Sequence, residues 1–99
     1  MKWSEDLYVG DNIRETIEEV RGSLDRGEVV EGAFLVCLSE GGSNLFDIIP
    51  AKELRLSIYR EYDLKVVGVA DDKDEAVELV RQMIEKMYTE GVSASSIFR

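Results

Sequence analysis

The stretch Gly32-Ala33-Phe34-Leu35-Val36-Cys37-Leu38 is the longest apolar run in the chain, and its reading decides the fold. It is entered through Val29 and Val30 and stopped by Ser39-Glu40-Gly41-Gly42. An uncharged run this short, rich in Phe and Val, lacks the period of about 3.6 residues that marks a helix, so it reads as a buried strand. Both alternating faces of that strand are apolar. Such a strand must lie inside a sheet that is covered on both sides.

Downstream, Glu40-Gly41-Gly42-Ser43-Asn44 is a cluster of turn formers, and Leu45-Phe46-Asp47-Ile48-Ile49 follows as a second strand. The short connection makes the two an antiparallel hairpin. Pro50 ends it and suits the first position of a short helix over Pro50-Ala51-Lys52-Glu53-Leu54. Leu54, Leu56 and Ile58 also alternate as a strand would, so residues 50–62 stay open between helix and strand. Leu64 to Ala70 is β-branched and apolar, hence another strand.

Asp72 and Glu75 stand at the spacing of a capping box and predict a helix that starts at Lys73. Its expected buried stripe is Ala76, Val77, Val80, Met83, Ile84 and Met87, with Tyr88 at the edge and Gly91 as the left-handed residue that closes it. Residues 92–99 form a polar tail that carries Ile97 and Phe98.

Upstream, Leu7-Tyr8-Val9 reads as a short first strand, and Asp11 as an N-cap. Ile13, Ile17, Val20 and Leu24 then recur at helical spacing, which predicts one amphipathic helix over 11–26, with Gly27 after its end. The expected class is α/β (α+β): one domain over 1–99, a small sandwich in which a mixed three- or four-stranded sheet carries two long amphipathic helices, 11–26 and 73–90. The Gly32 to Leu38 strand is expected at its centre. The alternative is a ferredoxin-like βαββαβ plan with an extra C-terminal helix. That plan would put the same apolar strand at an edge, where it would need covering or a second copy of the chain.

Composition narrows the rest. With 44% hydrophobic and 33% charged residues the chain has ordinary globular composition, and its 99 residues suffice for a core without staples. A single Cys cannot form an intramolecular bridge and fits a reducing interior. No apolar stretch approaches a membrane span, and the start of the chain lacks an apolar signal core, so a cytoplasmic location is expected. The net charge of -9 is spread evenly along the chain, as on a solvated surface, with no basic stripe for nucleic acid.

The chain contains no histidine. The usual general base near neutral pH, the His-containing triads and His-ligated zinc are therefore excluded within this sequence. Cys37 lies in the most apolar run and reads as buried, not as a nucleophile. Asp71, Asp72, Asp74, Glu75 and Glu78 form the densest acidic cluster; at a helix start they read as capping and dipole-favoured charges, without the pattern of a calcium loop. Gly41-Gly42-Ser43-Asn44 and Gly10-Asp11-Asn12 match no phosphate loop. No metal and no cofactor is implied.

Arg55, Tyr59, Arg60 and Tyr62 bring two guanidinium groups and two aromatic rings together and form the candidate site for an anionic or planar ligand. These features point to a small non-enzymatic domain that binds a protein partner or itself, with no direct contact to nucleic acid or membrane. Two alternatives follow from the same residues. One is a sensor of an anionic metabolite or a carboxylate-based enzyme using the Arg55 to Tyr62 segment; the other is an acidic nucleic-acid mimic that inhibits a DNA-binding protein.

Overall fold

The computed structural model describes residues 2–38, 45–54 and 64–93. Strand β1 (Lys2–Val9) is followed by a 3-10 turn (Asp11–Thr16), helix α1 (Ile17–Asp25) and strands β2 (Phe34–Leu38) and β3 (Phe46–Pro50). A second 3-10 turn (Ala51–Glu53), strand β4 (Lys65–Ala70) and helix α2 (Lys73–Glu90) complete the described elements. The four strands form one mixed sheet in the order β1-β4-β2-β3, so the fold is of the α+β class. β1 runs parallel to β4, and β2 is antiparallel to both its neighbours.

The apolar run is therefore central. Leu35 pairs with Ile49 on one side and with Val69 on the other, which removes the edge placement that the ferredoxin-like alternative requires. On one face of the sheet Leu35, Cys37, Ile49, Val66 and Val69 cluster with Ile13 and Leu24, and with the half-buried Ile17 and Val20. On the other face Val36, Val67 and Ala70 cluster with Ala76, Leu79 and Met83 of α2. The two helices thus cover opposite faces. That is why a strand without polar alternation is stable here.

A bulge adjusts the sheet to α2. Val36 pairs with Gly68 but Cys37 pairs with Val66, so Val67 is an extra residue on β4. The extra residue leaves Val67 and Gly68 both on the α2 side. Gly68 has no side chain to hold the helix away: a β-carbon there would lie 2.9 Å from Met83 Cε, 3.3 Å from Val36 Cβ and 3.4 Å from Leu79 Cδ1. Side chains of α2 therefore approach the sheet backbone closely at this glycine.

The first helical segment differs from its expectation. In place of one helix over 11–26, Asp11–Thr16 is a 3-10 turn and only Ile17–Asp25 is α-helical. Gly10, not Asp11, precedes the turn, and Ile13 N–H donates to Gly10 O at 3.2 Å in the tighter pattern. The Asp11 carboxylate pairs with Arg14 at 3.0 Å instead of capping. Ile13 is buried on the sheet, and Gly27, with φ 75, takes the left-handed conformation expected after the helix.

Strand β1 is longer than Leu7 to Val9. It starts at Lys2, with an irregularity between Trp3 and Tyr8 where it carries more residues than β4 does. Charged Glu5 and Asp6 in that irregular stretch hid the strand from any alternation pattern, and they also make this edge poor at recruiting another strand. Trp3 ties β1 to α1: its indole N–H donates to Asp25 Oδ1 at 2.8 Å, and the Arg21 guanidinium lies 5.1 Å from the ring centroid. The antiparallel pairing of β2 and β3 is as expected, but Pro50 is the last residue of β3, paired with Phe34, and not the first of a helix; Ala51–Glu53 is a 3-10 turn, and residues 55–62 lie outside those described.

Helix α2 starts and stops where its caps predict. Asp72 accepts a hydrogen bond from Glu75 N–H at 2.7 Å, and Gly91, with φ 65, closes the helix while the N–H groups of Gly91 and Val92 both donate to Met87 O. Its azimuth departs from the expected stripe. Ala76, Leu79 and Met83 are the buried positions, whereas Val77 and Ile84 are 51% and 47% exposed. Leu79 faces the sheet, with its Cδ1 and Met83 Cε both against Gly68.

Candidate functional site

Because β1 and β4 are parallel neighbours whose following segments pass to opposite faces, a crevice opens beyond their carboxyl ends, where ligands bind in many open α/β sheets. Here it is a groove of about 460 Å³, lined chiefly by Gly10, Asn12, Arg14, Asp72, Glu75 and Glu78. Gly10 N–H continues the sheet by donating to Val69 O at 2.9 Å. Glu75 reaches across: Asp71 N–H donates to its Oε1 at 2.9 Å and Asn12 N–H donates to its Oε2 at 3.2 Å. One carboxylate thus joins the first turn of α2 to the 3-10 turn. The capping box is present in altered form, with Glu75 returning to Asp71 rather than to the N-cap Asp72.

Two other carboxylates of the acidic cluster, Asp72 and Glu78, are also engaged in the fold. Asp72 is the N-cap, and Glu78 pairs with Arg81 at 2.6 Å while Glu85 takes the other side of the same guanidinium at 2.7 Å. The Arg81 hydrogen bond holds the Glu78 carboxyl below its ordinary range, and Glu78 with Glu85 pushes Arg81 up. These are exposed pairs worth little individually. Among the described residues no group of three or more His, Cys, Asp and Glu is placed to hold a metal ion.

Cys37 is fully buried between β3 and β4. Burial, with a smaller contribution from the Asp47 carboxylate opposite it on β3, pushes its thiol up to about 12. It stays a neutral thiol at physiological pH and packs as a small apolar group.

Arg55, Tyr59, Arg60 and Tyr62 lie outside the described residues. Sequence reasoning missed a different feature. The outer flank of α2 carries Val77, Ile84 and Tyr88, of which Tyr88 is 90% exposed. Their spacing of seven and then four residues puts them on one side of the helix, adjacent to the half-buried Val80 and Met87. The apolar pattern alone predicts a broader buried stripe; only the azimuth of α2 separates the inward residues from the outward ones.

Comparison with protein-family models, with curated proteins and with solved structures finds no match to this chain. Among the described residues no helix is long and apolar enough to cross a membrane.

Proposed function

We propose that the chain is a small non-enzymatic protein-binding domain, working in the cytoplasm, whose contact surface is the outer flank of α2. The observation that carries this reading is the exposure of Val77, Ile84 and Tyr88 on a single side of one helix. Scattered apolar residues on a surface are ordinary, but three in a helical line on an otherwise charged helix form a strip that a partner can cover. Burying such side chains contributes about 25 cal/mol per Å² of apolar area, and aromatic anchors such as Tyr88 give disproportionate shares of interface energy. The buried, un-ionised thiol of Cys37 and the engagement of Asp72, Glu75 and Glu78 in caps and ion pairs support a binding role over a chemical one.

The test is retention of proteins from the native host by the immobilised chain at low and high salt, with Val77→Asp/Ile84→Asp as the comparison. A partner held through this flank survives high salt and is lost in the double variant. Equal retention by both forms, or none by either, defeats the proposal. Retention that disappears with salt alone points instead to the acidic surface and a nucleic-acid-binding partner.

A further inference from the structure

We draw no further inference here: the strongest candidate, the acidic groove beyond the carboxyl ends of β1 and β4, consists of a helix N-terminus and carboxylates that the fold itself uses with no second observation pointing to a ligand, and nothing in the structure shows what covers the apolar flank of α2.

Discussion

Gly10 and Glu75 occupy one another's space: a β-carbon on Gly10 would overlap the Glu75 carboxylate that bridges Asn12 and Asp71. The glycine is required at the end of β1 because the connection between the two helical starts passes directly over it. Gly10→Ala forces the flexible Glu75 side chain aside and breaks both of its backbone hydrogen bonds. With each bond contributing roughly 0.5–1.5 kcal/mol, the expected loss is about 1–3 kcal/mol in chemical denaturation. The coupling is the sharper measurement. In a Glu75→Ala background, Gly10→Ala should cost much less, and a double-mutant cycle with no interaction energy would show that the two residues do not depend on each other.

At Gly68 the packing is tight in a different way. A methyl group there would press on Met83 Cε and crowd Val36, and Val36 sits on a strand that cannot retreat. Gly68→Ala should therefore lower stability by about 1–3 kcal/mol through overpacking. Shortening Met83 in the same molecule should return part of that loss, because its terminal methyl is the nearest atom. Unchanged thermal stability in the single variant would mean that α2 can lift from the sheet without cost.

What was legible in the sequence, and what was not, follows from the range of the interactions involved. The central strand could be read because Phe34 to Leu38 is apolar in both alternating sets, which only double coverage explains. The ends of α2 could be read because Asp72 and Gly91 act on backbone groups a few residues away. The break of the first helix into a 3-10 turn could not, since Asn12 N–H is taken by a carboxylate 63 residues further along the chain. Likewise Val77 and Ile84 are as apolar as Leu79, and their exposure depends on how α2 packs on the sheet, which the helix's own pattern does not encode. The candidate Arg55 to Tyr62 ligand site rests on proximity in sequence, and its residues lie outside those described.

The Cys37 thiol gives a pH signature with a definite sign. Its ordinary value of 9.0 applies to the unfolded chain, and burial raises it to about 12 in the fold. Between those limits the folded state holds a proton that the unfolded state releases, so this contribution is fully present below pH 9.0 and falls as pH rises towards about 12. The expected slope is about 1.4 kcal/mol lost per pH unit within that window. Cys37→Ala removes the slope, so denaturation curves of the two forms should draw together as pH rises from 9.0. Parallel pH profiles for the parent and the variant, or rapid thiol labelling of the native protein at pH 8, would contradict the burial.

Substitutions on the two sides of α2 should have opposite signatures. Leu79 is 5% exposed and packs beneath the helix, so Leu79→Ala should cost about 2–5 kcal/mol of stability and impair every property of the protein together. Val77 and Ile84 contribute less to the core, being about half exposed, and charged residues there keep most of their contact with water. Val77→Asp and Ile84→Asp should each shift stability by less than about 1 kcal/mol. If the flank is a binding surface, partner retention falls at least tenfold in these variants while the unfolding midpoint hardly moves. A loss of stability as large as that of Leu79→Ala would instead make the flank part of the core, and the contact surface would have to be sought elsewhere.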